Sequence, residues 1–345
     1  MFLLLARNKK VMLVVLSPAK TFNFTIMRKV LIPTTPEFVI QAEKLVTSTL
    51  SKMSTSKLGT TLSISTNLAN LNAARYSNFH HGNNARPTQH QDDVAACAVT
   101  AYAGRAWKGL DQASLTDTEL LYCADHLRIL SGLYGIVKPT DIIQPYRLDM
   151  GTKLVVSKEH SNLYSYWGDA LKRSLLASNA SVIVNVASGE YWKACLEKEL
   201  SSSTHVLTVS FREGQGKSAR VIAVHAKLAR GLFVRFMCQT EPETVDELKA
   251  FDGGGIGYSF DDKLSNDNLM VFTRSNASTG SSSSSGAKNA KNAKNAKNAK
   301  NAKNAAKNAK NAKNAKNAKK RSGNGNGSDS SMHSSSSAAK KKRKK

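Results

Sequence analysis

Cysteine, acidic residues and long apolar runs are what this chain has least of. Among 345 residues there are four cysteines, Cys97, Cys123, Cys195 and Cys238. They are far apart and form no CxxC pair, which argues against a disulfide framework or a zinc module and suits a reducing compartment. No stretch approaches the roughly 20 apolar residues of a membrane span, so no membrane partner is expected. The opening MFLLLARNKK has too short an apolar run for a secretory leader, and its charge follows that run instead of preceding it. Residues 1–11 read as an N-terminal extension ahead of the first strand run, with a weak organelle-targeting role as the alternative. The phosphate-loop pattern GxxxxGK[ST] is absent. His80, His81 and His90 have no carboxylate at ligand spacing, so they read as solvated loop histidines, and neither a metal nor another cofactor is expected.

The shortage of acid is uneven. Lys and Arg number 50 against 25 Asp and Glu, a net charge of +25. From Ser275 onward 19 cations face the single acid Asp329, so this tail carries +18 and residues 1–274 about +7. A basic domain with a more basic tail predicts attraction to polyanions, nucleic acid first. Within the tail, a Ser-rich linker leads to an Ala-Lys-Asn repeat over Ala287–Lys320. Period three would spiral lysines around every face of a helix and leave no apolar stripe to bury. Residues 275–345 are thus expected to be disordered when free. The terminal run Lys340–Lys345 reads as a nuclear-localisation or nucleic-acid contact signal beside an otherwise cytoplasmic assignment.

Residues 12–274 alternate buried-strand runs with helical patterns and show no clean internal boundary. The expectation is one α/β (mixed α+β) domain, a central sheet flanked by helices. Val11–Leu16 is a continuous apolar run that empties into Ser17-Pro18-Ala19-Lys20-Thr21. Ser181–Val186 echoes it and ends in Ala187-Ser188-Gly189-Glu190-Tyr191. Strand-end loops of this kind are where α/β folds place their sites. Lys20 suits phosphate as a point charge, or serves as a nucleophile if burial depresses its pKa. Ser17, Thr21, Asn185 and Ser188 are candidates to line the same cleft. Glu190 is either a catalytic group there or the first-turn acid of the following helix.

Between these loops lies LRILSGLYGIVKPTDIIQPYRLDMG, Leu127–Gly151. Its glycines and prolines predict a tightly turned, ordered loop after a buried segment. It sets Arg128, Lys138 and Arg147 beside Tyr134 and Tyr146, a mix of cation and ring suited to phosphate contact and base stacking. Helices are expected over Pro36–Leu50, Ser54–Leu62, Thr66–Ser77 (ending near Arg75), Asp92–Val99, Thr116–His126, Leu163–Leu176, His225–Gln239 and Thr244–Phe251. Lys108 falls in a turn beside Trp107, and Lys227 and Arg230 share a face of the 225–239 helix from which Arg235 is offset. Thr152–Val156 is expected to be a strand, 205–211 with 219–224 a hairpin, and 257–260 with 269–273 a terminal strand pair.

The central string resembles the YaaA family of peroxide-stress proteins. So do MLVVLSPAKTFNF (Met12–Phe24), NLNAARY (Asn70–Tyr76), AYAGRAWKGLD (Ala101–Asp111), YSYWGDALK (Tyr164–Lys172), VIVNVASGEYWKA (Val182–Ala194), AKLARGLFVRF (Ala226–Phe236) and GGIGYSFDDKLSNDNLMVFTR (Gly254–Arg274). The blocks follow family order across residues 12–274. The resemblance implies a DNA-binding protein of the oxidative-stress response, holding double-stranded or branched DNA in a basic cleft and limiting iron-driven damage. It also implies a helix-hairpin-helix element, placed at Ser54–Ser77 or at the glycine-bearing Leu130–Gly135. Lys20, Arg75, Lys108, Arg128, Lys138, Arg147, Lys227, Arg230 and Arg235 are the candidate DNA contacts. The alternative is a nucleotide- or nucleobase-processing enzyme built on the SPAKT and NVASGEY loops with Arg147.

Overall fold

The computed structural model describes residues 12–25, 28–79 and 95–275, all within one compact unit. The N-terminal extension 1–11, the histidine-bearing loop from 80 to 94 and the tail from 276 lie outside the described residues.

Eleven strands are present among the described residues: β1 (Met12–Leu16), β2 (Thr21–Phe22), β3 (Ala96–Cys97), β4 (Tyr102–Ala103), β5 (Leu127–Ser131), β6 (Gly135–Val137), β7 (Ile142–Ile143), β8 (Val182–Asn185), β9 (His205–Glu213), β10 (Ser259–Phe260) and β11 (Leu269–Arg274). Seven form one sheet in the order β10-β11-β9-β8-β1-β5-β6. Its five inner strands run parallel, and the two edge strands β6 and β10 are antiparallel. Two small ribbons, β2–β4 and β3–β7, stand apart from it. Every residue of β1 and β8 is buried. A strand covered on both faces has no solvent side for polar residues, which is why MLVVL and the VIV of β8 read as unbroken apolar runs.

The helices are α1 (Val39–Leu45, continued by one π-helical turn over Val46–Leu50), α2 (Thr55–Leu62), α3 (Thr66–Ser77), α4 (Ala98–Ala101), α5 (Arg105–Leu110), α6 (Asp117–His126), α7 (Leu163–Trp167), α8 (Ala170–Ala177), α9 (Gly189–Trp192), α10 (Glu197–Leu200), α11 (Ala223–Thr240) and α12 (Val245–Leu248). Serine and threonine caps start several of them, as their residue preferences require. Ser54 and Ser65 cap α2 and α3, and Thr116 with Glu119 forms a reciprocal capping box on α6. The α2–α3 turn closes on Ser63 in the left-handed region (φ 54°).

Several local expectations are corrected. Of the expected 92–99 helix, 92–94 lie outside the described residues, and among the rest the helix starts at Ala98 because Ala96–Cys97 pairs with Ile142–Ile143 as a ribbon. Residues 152–156 form a loop held by local turns, not a strand. The 163–176 helix breaks at Gly168, whose φ of 50° ends α7. The 205–224 hairpin is reduced to a single Glu213–Arg220 bridge. Both edges of β9 are already taken by β8 and β11, so a returning partner has no free ladder to join. Leu130–Gly135 is a strand turn joining β5 to β6, which leaves α2–α3 as the helical pair.

Helices α5 and α11 pack backbone to backbone through two glycines. A Cβ on Gly231 would lie 1.7 Å from the Ala106 carbonyl oxygen, and one on Gly109 would lie 2.4 Å from that of Leu228. Gly231→Ala is therefore expected to lower the unfolding free energy by about 2–3 kcal/mol through overpacking. Gly189→Ala, where nothing lies within 4 Å, should stay within about 0.5 kcal/mol. Denaturant unfolding of the two variants checks the difference.

Candidate functional site

Strand β1 is followed in sequence by β5 on one side and, later, by β8 on the other. The order therefore reverses between β1 and β8, and the loops leaving both strands open at that reversal, where open α/β sheets hold ligands. The junction is closed by hydroxyls. Ser17 Oγ accepts the Ser188 backbone N–H at 2.9 Å and donates to Ser188 Oγ at 3.3 Å. The turn below it is shaped by Asn185, which is buried: its Oδ1 accepts the Ala187 N–H at 2.9 Å and its Nδ2 donates to Thr208 Oγ1 at 3.2 Å. Asn185 thus holds the loop and is not offered to a ligand. Thr21 donates to the Ala103 carbonyl, fastening β2 to β4.

Above the serines, Lys20 Nζ meets Asp149 Oδ2 at 2.5 Å, with the lysine side chain 56% exposed. Tyr191 donates to the other oxygen of Asp149 at 3.3 Å. Burial, then the nearby Tyr146 and Asp149, pushes Tyr191 ionisation far up, so this phenol stays a donor. Glu190 reaches 39 residues back to accept the Gly151 N–H at 2.9 Å, and its carbonyl accepts the Tyr164 hydroxyl. Its carboxylate holds Gly151 over the site while Glu190 stands in the first turn of α9, as the second sequence reading expected. Arg147 has its backbone fixed by Tyr76, whose hydroxyl donates to the Arg147 carbonyl at 2.7 Å. Among the described residues its guanidinium makes no ion pair. Tyr76 lies near the end of α3, so this bond docks the helical pair beside the strand-end loops. Its neighbour Arg75 is half-buried, and desolvation lowers its pKa.

Tyr134 and Tyr146, expected to line the cleft, are instead buried beneath it. Tyr146 shares hydrogen bonds with Tyr102 (2.8 Å) and Ser131 (2.7 Å), and Ser131 Oγ accepts the Tyr134 N–H at 2.9 Å. The Tyr134 hydroxyl accepts the Gln144 N–H at 3.1 Å. Their rings form a platform for the site, out of reach of a stacking base.

The remaining cations are dispersed. Arg128 and Lys138 lie on the β5–β6 edge, away from the serine junction. Lys108 and Lys227 are exposed on α5 and α11. Arg235 donates to the Leu110 and Asp111 carbonyls, both at 3.0 Å, and so terminates α5. Arg230 is largely enclosed, its Nε unpartnered, and desolvation lowers its pKa. Asp149, Tyr191 and Tyr76 were missed in the sequence. Asp149 stands two residues after Arg147, and that alternation was the available signal.

Two consequences for stability follow from the tyrosine platform. Tyr146→Phe leaves Ser131 and Tyr102 short of a partner and should cost about 1–3 kcal/mol. Burial raises the ionisation of Tyr102, Tyr134 and Tyr146 above the ordinary 10.0. Their protons are kept in the folded state while the unfolded chain ionises near 10. This stabilisation is fully present below that pH and is lost as pH rises above it. Unfolding free energies measured between about pH 9 and pH 11 should fall, and fall less in Tyr146→Phe.

Comparison with known proteins covers most of the described residues. The family model described as peroxide stress protein YaaA matches residues 12–264. A UPF0246 protein of Idiomarina loihiensis is 40% identical over 271 residues, covering 76% of this chain and 99% of the relative. A UPF0246 protein of Aromatoleum aromaticum is 37% identical with the same coverage. One of Clostridium botulinum (strain Alaska E43) is 37% identical over 270 residues, 77% of this chain and 100% of the relative. The serine junction falls within the matched residues, and the chain belongs to the YaaA peroxide-stress family.

Proposed function

We propose that this protein acts in the oxidative-stress response by binding double-stranded or branched DNA through its phosphate backbone, at the strand-end face around Ser17–Lys20, Arg147 and Ala187–Glu190. The observation that supports this is the pair of available cations over a hydroxyl-lined edge. Lys20 is more than half exposed with one carboxylate contact, and Arg147 has no ion pair among the described residues. The α2–α3 pair, turned tightly at Ser63 and docked by Tyr76, stands beside them as the helical hairpin. Phosphate contacts of this kind fix position without reading bases, so binding is weakly sequence-specific and salt-sensitive. DNA held there is shielded from iron-driven radicals. The tail, +18 in sequence, adds a non-specific attraction to polyanions.

In the full chain, Lys20→Ala and Arg147→Ala should each weaken duplex binding about equally across sequences and reduce the salt slope by roughly 1. An unchanged slope in both variants would remove this face from the interface.

A second reading, a nucleotide- or nucleobase-processing enzyme, is favoured by one arrangement: Lys20, Asp149 and Tyr191 in hydrogen-bonded sequence at the reversal point. Asp149→Asn separates the two readings. For a DNA-binding face it removes a negative charge beside Lys20 and should strengthen duplex binding several-fold at low salt. For an enzyme it removes the group that orients Lys20, and turnover of a nucleotide substrate collapses.

A further inference from the structure

We propose that the β5–β6 edge carries a second pocket, separate from the strand-end face, built to take the phosphoryl group of a small phosphate ligand. The antiparallel register pairs Ile129 with Val137 and Leu130 with Ile136. One step further it sets Arg128 opposite Lys138. Directly opposed residues on antiparallel strands share a face with Cβ atoms about 4.5–5.5 Å apart, and like charges there repel. Both side chains line a pocket of about 320 Å³, with Thr35, Glu37, Asp141 and Ser174 around them. That is the lower end of the range for small-ligand sites.

Asp141, Asp125 and Glu37 act on Arg128 through space, without a direct ion pair. Among the described residues neither Arg128 nor Lys138 makes an ion pair. Arg128 spends Nη1 on the carbonyls of Asp125 (3.1 Å) and Leu127 (2.8 Å), which leaves Nε and Nη2 for a ligand. The acids of the pocket make their hydrogen bonds to hydroxyls and backbone, not to either cation's side chain. Asp141 is 2% exposed; its Oδ1 accepts the Thr34 hydroxyl at 2.6 Å and its Oδ2 the Lys138 backbone N–H at 2.7 Å. Glu37 accepts the Ser174 hydroxyl at 2.6 Å. Desolvation lowers the Arg128 pKa more than the surrounding carboxylates raise it, so a bound anion would supply the missing compensation.

A guanidinium edge, an opposed ammonium and the Thr35 hydroxyl together suit a tetrahedral oxyanion that accepts several hydrogen bonds. The shared chemistry is a phosphoryl group, from free phosphate or a phosphomonoester, or from a DNA backbone. None of the lining residues belongs to the strand-end face, so this pocket stands whether or not that face binds DNA.

The test is thermal unfolding of the full chain in inorganic phosphate against chloride at matched ionic strength. A ligand that binds only the folded state raises Tm with concentration. Anions held by the tail, which binds them in folded and unfolded chain alike, do not. The expected result is a phosphate-dependent rise in Tm that Arg128→Gln and Lys138→Gln abolish. Lys138 is exposed, so Lys138→Gln keeps the test valid where Arg128→Gln fails to fold. No rise with phosphate, together with weakened duplex binding in Lys138→Gln, assigns the phosphoryl group to DNA. An equal phosphate shift in wild type and variants, or no change in either measurement, overturns the pocket.

Discussion

The placement of β1 between β5 and β8 is the constraint on which the rest depends. Met12–Leu16 is sealed on both faces and paired on both edges. Fully burying each Val or Leu there contributes about 1.5–3 kcal/mol, an upper figure because the unfolded chain already hides part of that surface. With the strand fixed, the chain has one exit, at Ser17. Because β8 lies on the other side in parallel register, its exit at Ala187 must open beside it. The serine junction, and Lys20 just beyond it, are consequences of strand order.

What stands over the junction is held from below and from the side. The Tyr102–Tyr146–Ser131 hydrogen bonds and the buried Tyr134 give the Leu127–Gly151 segment a rigid floor. The segment's far end is pinned by Glu190 to Gly151 and by Tyr76 to Arg147. Arg147 and Asp149 are therefore presented from a fixed backbone, which suits repeated phosphate contact better than a flexible loop would. The family assignment carries the peroxide-stress context, and this geometry is what the proposed phosphate contact rests on.

Much of this was legible in sequence, and the rest was hidden for identifiable reasons. Largely apolar runs at Val11–Leu16 and Ser181–Val186 announced doubly buried strands, and the polar turns after them marked the two strand-end loops. The helices expected over Ser54–Leu62, Thr66–Ser77 and Thr116–His126 correspond to α2, α3 and α6. The return strand after β9 failed because local alternation in 219–224 says nothing about whether β9 still has a free edge. Tyr134 and Tyr146 looked like stacking rings because composition cannot tell a ring over a cleft from one under it. Arg235 looked like a ligand cation, yet it caps carbonyls 124 and 125 residues away. Arg128 and Lys138 were grouped with Arg147 by closeness in sequence, whereas strand register sets them on a different edge.

The most direct test of the central claim is amide hydrogen exchange of the full chain with and without duplex DNA. Binding at the strand-end face should slow exchange at Lys20, Ser188 and Gly189 and along the 147–151 segment, and high salt should reverse the effect. Slowing confined to residues 276–345, with those positions unchanged, would contradict the account and leave the folded face to small-molecule chemistry.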